Sequence, residues 1–199
     1  YLQLFKISKV KKEVNLLMRS YDQVKSLSNF RVIVDTREKN TEKSKIRFRE
    51  FGSFERQALT VGDYTFNATL PSGKKLHDET HAVEPMVAIE RKLDLGEIAS
   101  CFAGNKKHRF YNELERAKAA GCKLYLLVEG ATWDDIFEHR YRSQMQPEVL
   151  IANLNAIQAR YDVHLVFCKS EYSGKLIKCL LYREFKELLQ QEKFDDMTL

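Results

Sequence analysis

The sequence predicts an α/β fold: a central mixed β-sheet flanked by α-helices, preceded by an extra N-terminal amphipathic helix. Three observations carry the prediction. In the second half, the apolar runs KLYLLVEG (123 to 130) and VHLVFC (163 to 168) read as buried strands and alternate with stretches of helical periodicity, the pattern of crossover-built sheets. In the first half, FRVIVD (30 to 35) and shorter strand-like pieces are separated by turn residues, so hairpin-built strands are expected there. At 199 residues, with 44% hydrophobic and 31% charged residues, the chain has the length and composition of one sizeable domain.

Taken in order, KVKKEVNLLMRSYDQVKSL (9 to 27) puts Val10, Val14, Leu17, Tyr21 and Val24 on one stripe, an arm over residues 1–29 that packs on the domain or binds a partner. The domain proper is expected over 30–199. After FRVIVD comes a polar, basic stretch, then strand pieces around Gln57 to Val61 and Tyr64 to Leu70. Pro71-Ser72-Gly73-Lys74 is a turn, and LHDETHAVEP reads as a solvated loop even though His77 and His81 stand four apart. VAIERK leads on to a helix capped by Asp94. Asn105 can cap a helix running to Ala120 and stopped by Gly121. Thr132 with Asp135 resembles a capping box for a short helix over Trp133 to Arg140. Pro147 opens a helix with Leu150, Leu154, Ile157 and Tyr161 on one face, and a last helix spans about Glu171 to Gln191.

Composition removes several classes of function. No stretch approaches the roughly 18 apolar residues of a membrane span, and YLQLFKISKVKK lacks the order of a signal peptide. An intracellular protein is expected, nuclear if eukaryotic and cytoplasmic if prokaryotic or viral. Cys101, Cys122, Cys168 and Cys179 form no CxxC pair, so they read as reduced core residues rather than a zinc site or disulfide framework. The net charge of +5 is clustered, around residues 31 to 49, at Lys74-Lys75 and at Lys106-Lys107-His108-Arg109, which suits a polyanionic partner or a solvated face.

The chemistry concentrates in IERKLDL (89 to 95). Side chains alternate along a strand, so Glu90 and Lys92 face one way and Arg91 faces the other with Val87 and Ile89. Residues two apart lie roughly 6.5 to 7 Å apart, close enough for a carboxylate and an ammonium to converge on one water. A divalent ion such as Mg²⁺ needs further oxygen ligands. Asp63, after Gly62 in LTVGDYTF, and Asp35, closing VIVD, are the acids placed to supply them. Singly, each has a plainer reading: a Gly-Asp turn, a cap after a strand, a salt-bridged strand end.

Together, VDTRE (34 to 38), GDY (62 to 64) and IERKLDL resemble the signature of the XPF-type structure-specific endonuclease domain of the XPF, Mus and archaeal Hef nucleases, within the PD-(D/E)XK superfamily. The resemblance spans about residues 30 to 170 and takes in Arg109-Phe110-Tyr111 and LYLLVEG. It implies a restriction-endonuclease-like sheet and a metal-dependent DNA endonuclease acting on branched, flap or fork DNA in repair, recombination or replication. Asp63 and Glu90 would hold Mg²⁺, or Mn²⁺ in its place, with the Arg91 carbonyl. Lys92 would orient or activate the water and offset phosphate charge, and Asp35 would complete the acidic set directly or through water. Arg37, Glu38, Arg91 and Arg109 would support the site or the phosphate. Arg109 reads equally as an ion-pair partner of Glu113, and Lys39, Lys43, Lys45, Arg47 and Arg49 as a DNA-tracking stretch or a solvated loop.

Members of that family carry a tandem helix-hairpin-helix module, and no pair of Gly-x-Gly hairpins occurs in this sequence. Substrate selection and the expected pairing, as a homodimer or with a related subunit, would then fall to another segment, a partner or the N-terminal helix. A non-catalytic DNA-binding scaffold of the same fold and a restriction- or resolvase-like nuclease are the competing readings.

Overall fold

A computed structural model describes residues 21–191 of the chain. Helix α1 covers 21–28 and is followed by β1 (Arg31–Asp35), α2 (Glu42–Phe51), β2 (Phe54–Gln57), β3 (Tyr64–Asn67) and β4 (Val87–Lys92). Then come α3 (Leu95–Cys101), α4 (Lys106–Ala119), β5 (Lys123–Glu129), α5 (Trp133–Phe137), α6 (Pro147–Tyr161), β6 (His164–Cys168), a 3₁₀ turn (Ser170–Tyr172) and α7 (Ser173–Gln190). The strands form one mixed six-stranded sheet in the order β2-β1-β3-β4-β5-β6. The α/β expectation is borne out.

The first half is built differently from the hairpins expected of it. β1 and β2 are parallel, joined by the crossover helix α2, and β3 runs antiparallel to both β1 and β4. β4, β5 and β6 are parallel. Among the described strands β3 alone is reversed, so its first residue, preceded by Asp63, lies at the edge where β1, β4 and β5 end. That edge is where parallel sheets place their ligands.

Helix α2 arises from the basic stretch that reads as loop. Its buried stripe mixes polar and apolar residues: Ser44, Arg47, Phe48 and Phe51, at helical spacing, are buried, while Ile46 points outward. Thr41 starts it with a reciprocal cap, accepting from the Ser44 amide at 3.2 Å while the Ser44 hydroxyl accepts from the Thr41 amide at 2.8 Å. Asp94 caps α3 as expected, accepting from Glu97 N at 2.7 Å, whereas Asn105 makes no side-chain cap on α4.

Two cores sandwich the sheet. Ala88, Leu124, Leu126 and Val128 pack with α3, α4, α5 and α6 on one face. Val87, Ile89, Leu127, Phe66 and Tyr64 pack with α2 and α7, centred on Phe185, on the other. β4 therefore sends Glu90 and Lys92 toward the α3/α4 side and Arg91 toward the α2/α7 side. Cys101 and Cys122 are buried, but Cys179 is exposed on α7, not in the core. Of the expected N-terminal stripe, Val10, Val14 and Leu17 lie outside the described residues; Tyr21 and Val24 face solvent, and Ser26 and Leu27 make the contact with the domain. Among the described residues no helix is long and apolar enough to cross a membrane.

Candidate active site

Asp63 is held in place by backbone. Its amide donates to Ile89 O at 2.9 Å, its carbonyl accepts from Asp35 N at 2.8 Å, and its carboxylate Oδ2 accepts from Arg91 N at 2.8 Å. The turn that allows this needs Gly62. Its φ is +75°, and a Cβ there would stand 2.9 Å from Ala88 Cβ and 3.2 Å from Ile89 O. Glycine lets the chain pass against β4, and the next side chain is then aimed at the end of that strand.

Asp63 and Glu90 line one cleft of about 780 Å³, with Arg37, Glu38, Arg91, Arg109, Glu113 and Arg116 among its walls. Burial raises the Asp63 carboxyl to about 7, opposed by the Arg91 amide and reinforced by the charge of Glu38. Burial also lifts Glu90 well above the usual carboxylate range, and the neighbouring charge of Asp63 adds to it. Glu90 is paired with Lys92 on its own strand. Burial disfavours a charged Lys92, but Glu90 more than offsets it, so the side chain stays an ammonium. Lys92 does not open on the main cleft. It lies behind Glu90 in an adjoining pocket of about 240 Å³, its Nζ 5.5 Å from the Phe110 ring centroid.

Asp35 is placed differently from the cluster expected of it. Its carboxylate accepts from Arg37 Nε at 2.8 Å, Arg37 Nη2 at 2.7 Å, the Arg37 amide at 2.6 Å and the Leu59 amide at 2.9 Å. Burial alone would raise it, yet these donors outweigh burial and hold it low. It is 1% exposed and does not line the cleft. With both oxygens taken by Arg37 and Leu59, Asp35 ties the VDTR turn to the chain beside Leu59, and direct metal contact is not where its side chain points.

Arg91 finds its partners on the α2/α7 side: Nη1 reaches Glu129 Oε2 at 3.4 Å and Nη2 lies 3.7 Å from Glu38. Arg47, grouped from sequence with DNA-tracking residues, is buried there too, donating from Nη1 to Glu129 at 3.1 Å and from Nε to the Tyr64 hydroxyl at 3.0 Å. Glu113 turns not to Arg109 but toward Gly62, whose amide it accepts at 3.3 Å. Arg109 lines both the main cleft and the smaller pocket. Glu129 carries no reading from the sequence, while Arg47 and Glu113, read there as a DNA-tracking residue and an ion-pair partner of Arg109, take other partners in the cleft wall. The signal for Glu129 was present: like IERK, LYLLVE drives a charge into the end of a buried strand.

An oxygen donor set fits a hard divalent cation better than a thiophilic one. Asp63 and Glu90 both gain proton affinity in the fold, chiefly because burial takes their charge out of water. No three His, Cys, Asp or Glu side chains among the described residues converge on a metal position. The fit is to an ion that takes two carboxylates and completes its shell with carbonyl and water, as Mg²⁺ does.

The sequence profile of the ERCC4 domain matches residues 34–180. The chain belongs to the ERCC4 domain family. Among solved structures, it is similar to XPF from Aeropyrum pernix, at 20% identity and a TM-score of 0.53, over 76% of this chain and 64% of that one. XPF from the same organism in complex with DNA matches at 21% identity and 0.55, over 79% and 66%. The chain thus spans about two thirds of the length of those XPF chains, and they share its fold. No curated relative matches the chain. ERCC4 membership agrees with the XPF-type signature read from VDTRE, GDY and IERK.

Proposed function

We propose that this ERCC4-domain protein is a Mg²⁺-dependent endodeoxyribonuclease that hydrolyses phosphodiester bonds in branched, flap or fork DNA. The observation that carries the reading is the meeting of Asp63 and Glu90 in one cleft, with the Lys92 ammonium paired to Glu90 from the same strand. Asp63 and Glu90 would hold the divalent ion with the Arg91 carbonyl. That ion would supply Lewis acidity and a water made nucleophilic at neutral pH.

The chain's own residues do the rest. Lys92, kept protonated behind Glu90, donates to that carboxylate and sets a positive charge beside the cleft, which offsets charge developing on the phosphate through space. Arg109 and Arg116, on the α4 wall of the cleft, are placed to meet a phosphate, and Arg37, already forked on Asp35, orders the opposite wall. The XPF structure with DNA supports nucleic acid as the partner. Pairing with a second copy or a related subunit is proposed through the exposed Trp133 and Phe137 beside the edge strand β6.

Cleavage of flap, fork and linear duplex DNA with Mg²⁺ or Mn²⁺ tests the reading. Cutting at the flap or fork in preference to the linear duplex is expected. Binding to all three without cutting under any metal would favour a scaffold role, and equal cutting of the linear duplex would favour a restriction-like one.

A further inference from the structure

Along one wall of the cleft, lined by Glu38, Arg47, Arg91 and Glu129, four charges of alternating sign close a ring. Glu129 accepts from Arg47 at 3.1 Å and from Arg91 at 3.4 Å, and Glu38 lies 3.7 Å from each arginine. The Tyr64 hydroxyl bridges two members, accepting from Arg47 at 3.0 Å and donating to Glu38 at 3.2 Å. The Arg47 and Glu129 side chains are 5% and 2% exposed, and Arg47 is committed to Glu129 and the Tyr64 hydroxyl. Replacing a buried ion network by well-packed apolar residues of similar volume is often neutral or stabilising, so stability alone does not account for the ring. What it holds in place offers another account.

It holds Arg91. The backbone amide of Arg91 grips the Asp63 carboxylate, and Arg91 is the link between Glu90 and Lys92. Among the described residues, Arg91 Nε is the buried side-chain nitrogen with no hydrogen-bond partner. The guanidinium is therefore kept by the charges of Glu129 and Glu38 rather than by a full set of short bonds, and its place depends on them. Arg47 is itself fixed from outside: a Cβ at Gly174 would come within 2.6 Å of the Arg47 carbonyl oxygen, so α7 presses α2 at a point that only glycine permits.

We propose that Arg47 and Glu129 are positioning residues of the candidate active site, which through Arg91 fix the end of β4, and with it Asp63 and Glu90, for a divalent ion. The activity part of this inference rests on the nuclease reading; the metal-binding part rests on Asp63 and Glu90 alone.

The test takes the full chain, with Mn²⁺ alone as probe in calorimetric titration, melting temperature without metal as the check of folding, and flap cleavage as a separate arm. Glu129→Gln keeps the volume and removes the charge. Mn²⁺ binding is expected to weaken roughly ten- to hundredfold and cleavage to fall at least as far, while DNA binding in EDTA stays within about twofold. Arg47→Lys keeps the charge and gives up the planar fork; it is expected to behave alike, and it stands in should Glu129→Gln fail to fold. Weakened Mn²⁺ binding in a chain that cuts no DNA would sustain the positioning role and remove the nuclease reading. Folded variants that match the wild type in Mn²⁺ affinity, or a wild type that binds no Mn²⁺, would overturn the proposal.

Discussion

The carboxylate of Asp63 accepts a hydrogen bond from the backbone amide of Arg91 at 2.8 Å, so the acid of the GDY motif is fastened to the middle residue of the ERK motif. Twenty-eight residues separate them in sequence, and one reversed strand brings them together. The bond uses one carboxylate oxygen of a residue that lines the cleft with Glu90.

Gly62→Ala tests the turn that makes this contact. The new Cβ would strike Ala88 Cβ at 2.9 Å in a backbone with φ of +75°. A loss of about 2 kcal/mol or more in denaturant unfolding is expected, from strain at a positive φ together with overpacking. A variant as stable as the wild type would show that the turn does not need glycine.

Asp35→Asn tests the reassignment of Asp35 to structure. Its partners are buried amides and the Arg37 fork, and removing the charge is expected to cost about 2 kcal/mol in stability. Its carboxyl is held low in the fold, so the stability it contributes is present above the unfolded carboxylate range and is lost as pH falls through its folded value. Mn²⁺ affinity, corrected for folding, is expected to change little. A large, selective loss of metal binding would return Asp35 to the ligand set.

Asp63 and Glu90 give the opposite slope. Both are raised in the folded chain, so they stabilise it below the unfolded range of about 4, and that contribution is lost as pH rises toward about 7 for Asp63. Without metal, the melting temperature is expected to fall across this window, by about 1.4 kcal/mol of stability per unit of raised pKa. Added Mg²⁺, and separately the double substitution Asp63→Asn with Glu90→Gln, should flatten the slope. A metal-free profile that rises with pH over the same window would contradict the buried setting of the two acids.

Lys92→Met removes the ammonium beside Glu90. Flap cleavage is expected to drop by about 10²-fold or more, with a smaller change in Mn²⁺ affinity, because the side chain acts on the developing charge. Unchanged turnover would remove Lys92 from the mechanism.

Much of the sheet was legible because its strands are continuous apolar runs ended by charge: RVIVD, VAIERK and KLYLLVE all became strands. The alternation in VAIERK correctly assigned Glu90 and Lys92 to one face and Arg91 to the other. Helix α2 was not legible, since its buried face includes Arg47 and Ser44, which carry no apolar period. Arg47 is buried only because Glu129, Glu38 and Tyr64 come to it from other strands and loops, and no local pattern encodes such distant partners. Asp35 differs: one partner, Arg37, is two residues on, but the Leu59 amide that also donates to it comes from 24 residues away.

The most direct test is flap-DNA cleavage with Mg²⁺ by wild type, Asp63→Asn and Glu90→Gln, each shown to be folded and to bind the DNA in EDTA. The account predicts that the wild type cuts at the branch and that each substitution lowers the rate by about 10³-fold or more, as loss of a metal ligand should, with DNA affinity nearly unchanged. Robust Mg²⁺-dependent cutting by both variants would contradict it.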